Sequence, residues 1–104
     1  MTRKEMRKRV NEIVENELNK FENEVEQTGT QFIARLRTCN AEVLASDHYY
    51  ILRSYRTIVA IIDSEGVCYD FLRKVYGYTS TSAQHINKFM KDYGNGYGYC
   101  WREV

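Results

Sequence analysis

Apolar residues near the N-terminus recur at helical spacing. Met6, Val10, Val14, Leu18, Phe21 and Val25 are separated by 4, 4, 4, 3 and 4 positions, which places them on one face of an α-helix. The pattern predicts an amphipathic helix over residues 2–27, roughly 38 Å long at about 1.5 Å per residue. A small sheet does not cover that length, so part of the stripe is expected to wait for a partner. Thr28-Gly29-Thr30 ends the helix. Phe32, Ile33 and Leu36 then predict a short second helix up to about Arg37, although the stretch also alternates tolerably as a strand. Cys39-Asn40 reads as a turn, and residues 41–45 read as a strand that Asp47-His48 joins to the next.

From residue 48 to 89 the period changes twice. Residues 49–55 are β-prone, and Arg56 and Thr57 separate them from Ile58, Val59, Ala60, Ile61 and Ile62. Five apolar residues in succession, most of them branched at Cβ, predict a strand over 57–63 that is buried on both faces. Asp63-Ser64-Glu65-Gly66 supplies a polar exit and a glycine available for positive φ, the chemistry of a hairpin loop. A further strand is expected over 67–72. Ile86, Phe89, Met90 and Tyr93 return to helical spacing behind Thr81-Ser82-Ala83-Gln84, which matches a capping box. Gly94 stops this helix, and its polar face carries Gln84, Lys88 and Lys91. In the tail, Asn95-Gly96 marks a turn, and Tyr97, Tyr99 and Trp101 alternate as in a strand with one aromatic face.

The pattern therefore predicts an α+β fold. It comprises a long N-terminal amphipathic helix, a short second helix, an antiparallel meander of about four strands, and a capped C-terminal helix packed on the sheet. One domain over 1–104 is expected, with the first helix in 1–28, the sheet in 40–72, the last helix in 80–93 and the aromatic tail in 94–104. With 104 residues, 43% of them apolar, there is material for a single core.

Charge narrows the function classes. Fifteen Lys and Arg against fourteen Asp and Glu give a net charge of +1, so no global field attracts nucleic acid or an anionic membrane. No apolar run approaches the roughly 20 residues that span a bilayer, and the charged N-terminus lacks a signal core. The chain is expected to be soluble. Locally the first helix is polarised. Arg3, Lys4, Arg7, Lys8 and Arg9 crowd its start, and Glu12, Glu15, Glu17, Glu22, Glu24 and Glu26 fill the remainder, the reverse of what the helix dipole favours. Three readings stay open: both ends are solvated and screened, two such helices pair antiparallel in a homodimer, or the basic head touches phosphates.

The sequence assembles no familiar catalytic pattern. Cys39, Cys68 and Cys100 form no CxxC pair and read as reduced thiols. His48 and His85 lack ligand spacing, and the GNGYG tail precedes no helix. A composite metal site from Cys68, His85 and Cys100 is the one metal reading, and it is disfavoured. No cofactor, no metal and no catalytic residue is expected, and the chain is read as a non-enzyme. All nine tyrosines lie between residues 49 and 99, and Tyr and Trp are what interface hot spots are made from.

Two stretches also look familiar together. Ser54-Tyr55-Arg56-Thr57-Ile58-Val59-Ala60, then a Gly66 turn, then residues 76–89 ending Thr81-Ser82-Ala83-Gln84-His85-Ile86-Asn87-Lys88-Phe89, resemble small uncharacterised proteins of phages and prophages of low-GC Gram-positive bacteria. The first helix and the aromatic tail lie outside this match. The resemblance implies a setting, the cytoplasm of a bacterial host, and carries over no catalytic residue. Small non-enzymatic proteins of mobile elements commonly act by occupying a host protein, and inhibitors of CRISPR-Cas nucleases are one such class. The leading expectation is thus a protein-binding inhibitor, most specifically an anti-CRISPR that binds a Cas nuclease. Glu15, Glu22, Glu24 and Glu26 would mimic phosphates toward a channel lined with Lys and Arg, and Tyr97, Tyr99 and Trp101 would supply contact area. The alternatives are a nucleic-acid-binding regulator, using Arg3, Lys4, Arg7, Lys8 and Arg9 or Gln84, Lys88 and Lys91, and a structural homodimer through the first helix. No membrane partner is expected.

Overall fold

The computed structural model describes residues 2–36, 40–75 and 80–102. Helix α1 spans Arg3–Thr28, and the Thr2 hydroxyl accepts the Glu5 backbone N–H at 3.2 Å to cap its start. It turns Val14, Leu18 and Phe21 into the core, with Val10 and Val25 half-buried beside them. Gly29 ends it with φ +74. Six strands follow in a sheet ordered as in the chain: β1 (Gln31–Arg35), β2 (Ala41–Ala45), β3 (Tyr50–Ser54), β4 (Thr57–Ile62), β5 (Cys68–Asp70) and β6 (Gly98–Cys100). A 3-10 turn over Leu72–Lys74 and helix α2 (Ser80–Tyr93) lie between β5 and β6. The first five strands form the antiparallel meander, whereas β6 pairs parallel to β5. A parallel neighbour needs a long crossover, and α2 supplies it.

The two helices cover opposite faces of the sheet. Phe89 and Ile86 of α2 pack with Ala41, Val43, Leu52, Ala60 and Ile62, while Val14, Leu18 and Phe21 of α1 pack with Leu44, Ile51, Ile61 and Tyr69. The uninterrupted apolar run of β4 follows from this arrangement, since both of its faces are core. Most of the α1 stripe is satisfied within the chain, and only Met6, 54% exposed, remains outside.

Four sequence expectations are corrected. Residues 31–35 form strand β1 rather than a short second helix. A register shift falls between Phe32 and Ala34, with Phe32 opposite Leu44 and Arg35 opposite Glu42, so the bulge puts Phe32 and Arg35 on one face three residues apart and imitates helical spacing. Among the described residues the sheet accordingly has six strands and not about four, β1 being new and the strand read in the aromatic tail joining as β6. The strand expected over 67–72 shortens to β5, because the Asp70 carboxylate accepts the Leu72 N–H at 2.9 Å and starts the 3-10 turn. Finally, α2 begins at Ser80, which puts Thr81 inside its first turn instead of at the cap. The expected turn residue Cys39 and the motif residues 76–79 lie outside the described residues.

The β3–β4 loop is Tyr55-Arg56, with Thr57 already in β4 opposite Ser54. Both loop residues have positive φ, 50° and 68°, the geometry of a type I′ turn that favours Asn-Gly. Arg56 is exposed. Arg56→Gly is expected to stabilise the fold by about 1 kcal/mol by relieving left-handed strain. A rise of roughly 4–8 °C in Tm by circular dichroism would bear this out, and no rise would mean that the turn is unstrained.

Candidate partner-binding face

The tail is locked onto α1 by Asn11. This buried amide interrupts the apolar stripe, and its Oδ1 accepts the Arg102 backbone N–H at 2.9 Å while its Nδ2 donates to the Arg102 carbonyl. Asn11 thus stands in for a paired strand. Trp101 N–H donates to the Asp70 carbonyl at 2.7 Å, and Cys68 N–H donates to the Tyr97 carbonyl at 3.2 Å. These bonds bring the aromatic tail to the basic head of α1. A groove of about 280 Å³ results, lined by Met6, Arg7, Val10, Tyr99, Cys100 and Arg102.

Around that groove the aromatic residues differ in availability. Tyr97 is 67% exposed, and Tyr99, 39% exposed, stacks on Tyr69 at 5.8 Å between centroids. Trp101 is half-buried under the Lys74 ammonium, 4.5 Å from its ring centroid. Lys74 also pairs with Glu15, so Glu15, Lys74 and Trp101 form one cluster. Arg3, Lys4, Arg7, Lys8 and Arg9 are exposed, and among the described residues none of them is in an ion pair.

The acidic half of α1 is partly committed to the fold. Beyond Glu15, Glu17 accepts the Tyr49 hydroxyl at 2.7 Å. Glu24 takes hydrogen bonds from Ser46 Oγ and from His48, both backbone and ring, and so ties the helix end to the β2–β3 turn. Glu22 and Glu26 stay exposed. On α2, Gln84, Lys88 and Lys91 are exposed, and Lys88 pairs with Asp92 at 3.2 Å. The structure therefore joins the basic head to the aromatic tail and separates both from Glu22, Glu26 and the α2 face.

The Glu24–His48 pair carries a pH signature. Burial pushes the Glu24 carboxyl up, but the hydrogen bonds from Ser46 and His48 outweigh it and the pKa is lowered. Hydrogen bonding and attraction to Glu24 raise that of His48. Glu24 contributes stability above the ordinary glutamate value of 4.5 and loses it as pH falls through the lowered value. His48 contributes below the ordinary histidine value of 6.5 and loses it as pH rises through the raised one. The Tm difference between the wild type and His48→Ala should therefore peak between these two values and shrink on both sides. A difference that is flat with pH would count against the pair.

The two halves of the familiar motif also meet. Ser54 at the end of β3 lies 2.9 Å from His85 Nδ1 and 3.0 Å from Ser82 Oγ. All three are buried, and the exposed Tyr55 ring lies over His85 at 6.0 Å. Sealed in this way, the Ser–His contact ties strand to helix. Cys68 is fully buried in β5 with its thiol pushed up to about 12 by burial, and burial likewise raises Cys100. Cys68, His85 and Cys100 do not converge, and among the described residues no group of three His, Cys, Asp or Glu is placed to hold a metal ion.

Asn11, Met6, Lys74 and Arg102 were missed by sequence reasoning as parts of this face. Only Asn11 left a signal, as a polar residue inside an apolar stripe. Among the described residues no helix is long and apolar enough to cross a membrane. Comparison with curated proteins and with solved structures gives no match. A family match extends over residues 4–100, so it takes in α1, both motif halves and β6. This chain belongs to the family of unknown function DUF8033.

Proposed function

We propose that the chain is a phage or mobile-element inhibitor that acts by binding a host protein, an anti-CRISPR directed at a Cas effector being its most specific form. The observation that carries this reading is the groove where Met6, Arg7 and Arg102 meet Tyr99, with Tyr97 beside it. Met, Arg and Tyr are the residue types enriched at the cores of protein interfaces. The cations of α1, which are in no ion pair among the described residues, suit an acidic patch on the partner. Because Glu15 and Glu24 are engaged within the chain, phosphate mimicry toward a basic channel is the weaker version, and occupation of an acidic surface or a moving domain of the effector is favoured. The resemblance of the Ser54 and His85 segments to phage proteins supports the setting.

A nucleic-acid-binding regulator is the second reading, favoured by the same exposed cations beside the exposed Tyr97 and Tyr99 rings. Capture from a nuclease-treated host lysate separates the two. The tagged wild type is expected to retain one protein in stoichiometric amount, and a variant carrying Arg7→Glu, Tyr97→Ala and Tyr99→Ala is expected to lose it. If no protein is captured, and DNA or RNA is retained when nuclease is omitted and released steeply by salt, the regulator reading replaces the inhibitor.

A further inference from the structure

We infer that the groove between the start of α1 and β6 takes a short linear segment of a protein partner, one in which an aliphatic or aromatic residue is flanked by Asp or Glu. This rests on the partner-binding reading above and gives that partner its chemistry. Met6 and Val10 on α1 and Tyr99 on β6 form the apolar part of the lining, and Arg7 from the helix and Arg102 from the tail add two guanidiniums. Among the described residues no Asp or Glu lines the groove. Arg7 and Arg102 are exposed, and among the described residues neither is in an ion pair. Asp70 lies opposite Cys100 in the strand register, but its oxygens are engaged within the chain, one by the Leu72 N–H at 2.9 Å and the other by the Cys100 thiol at 3.6 Å. That leaves the Arg102 guanidinium available to a ligand.

Size and lining select a peptide as the occupant. The groove holds about 280 Å³, just below the roughly 300–1,000 Å³ of pockets that enclose small molecules, and it suits one inserted side chain. Tyr99 already has a ring face against Tyr69, and Met6 and Val10 offer no ring, so the groove is not a track on which successive bases stack. Two guanidiniums beside an apolar floor instead match carboxylates on both sides of a buried side chain, each carboxylate able to accept paired N–H donors. The site is also ready-made. Asn11 holds the Arg102 main chain at both its N–H and its carbonyl, so this part of the tail need not order when the segment binds, which lowers the entropic cost of binding.

Selection of short random peptides, displayed on ribosomes, against the immobilised full chain tests this. The wild type should enrich peptides in which Asp or Glu flanks one aliphatic or aromatic residue. A variant carrying Arg7→Glu and Arg102→Glu, unchanged in its circular dichroism spectrum, should lose those peptides and enrich Lys- and Arg-flanked ones in their place. Met6→Ser should weaken the best peptide about tenfold or more, while Lys88→Glu on α2 should leave it unchanged. The inference is overturned by the absence of any enriched motif, by a motif without carboxylates, or by acidic peptides that the double variant still retains. It is overturned in favour of nucleic acid if single-stranded oligothymidylate binds the wild type more tightly than the best peptide. Lysate capture separates this inference from the reading beneath it: a single captured protein alongside failed peptide selection means that the partner presents a folded surface, whereas failure of both removes the partner-binding reading as well.

Discussion

Gly98→Ala is expected to be the most damaging single substitution on the tail side of the sheet. A Cβ at residue 98 would sit 2.0 Å from the Cys68 carbonyl oxygen, 2.7 Å from its carbon and 2.9 Å from the Cys68 Cα. All three atoms are backbone of β5, so no side chain can swing aside, and β6 must move away from its partner strand. Overpacking of this kind costs about 3 kcal/mol, equivalent to a Tm loss of roughly 12–24 °C at this size. Trp101 should become more exposed at the same time, since its N–H bond to Asp70 and its place under Lys74 depend on β6. Thermal unfolding followed by circular dichroism and by tryptophan emission checks both effects. A Tm change within about 3 °C would mean that β5 and β6 are not paired in this way.

His85→Ala is the second large effect. The side chain is 1% exposed, and Ser54 Oγ lies 2.9 Å from its Nδ1, so truncation opens a cavity and breaks a buried polar contact. About 3 kcal/mol is expected from the two together. Ser54→Ala should cost about 1 kcal/mol. In the double mutant the costs should fall short of their sum by about 1 kcal/mol, because each change removes the same contact. Urea denaturation of the four proteins measures that coupling, and strict additivity would show that Ser54 and His85 do not meet. The result bears directly on why the two motif halves, far apart in the chain, occur together.

Much of the architecture was legible because it rests on local periodicity. The α1 stripe, the doubly buried β4, the Gly66 hairpin and the extent of the last helix are all written in apolar spacing and turn chemistry. Gly66 takes the positive φ expected of it, at 85°, and Asp63 organises the loop by accepting the Glu65 and Val67 N–H groups, each at 3.0 Å. Strand β1 was misread because its bulge breaks the period of two. The aromatic alternation of the tail was visible, but its parallel pairing with β5 was not, since that depends on a crossover through α2.

The candidate site was less legible, for a different physical reason. Glu15 and Glu24 look like free acids in the sequence because their partners, Lys74 and His48, are brought near only by folding. The basic head and the aromatic tail invite separate readings as phosphate binder and protein hot spot. Asn11 joins them across nearly the whole chain, and no local pattern encodes that contact.

The central claim is that a partner meets this protein where α1 and β6 converge, and site-specific photo-crosslinking tests it most directly. A photoreactive phenylalanine analogue replaces Tyr97 in one preparation and Lys88, on the exposed face of α2, in another. Each is irradiated in host lysate and resolved by electrophoresis. The label at residue 97 should yield one discrete crosslinked species, identified by mass spectrometry, and the label at residue 88 should yield none. A discrete species from residue 88 and none from residue 97 would contradict the account and move the binding face to α2.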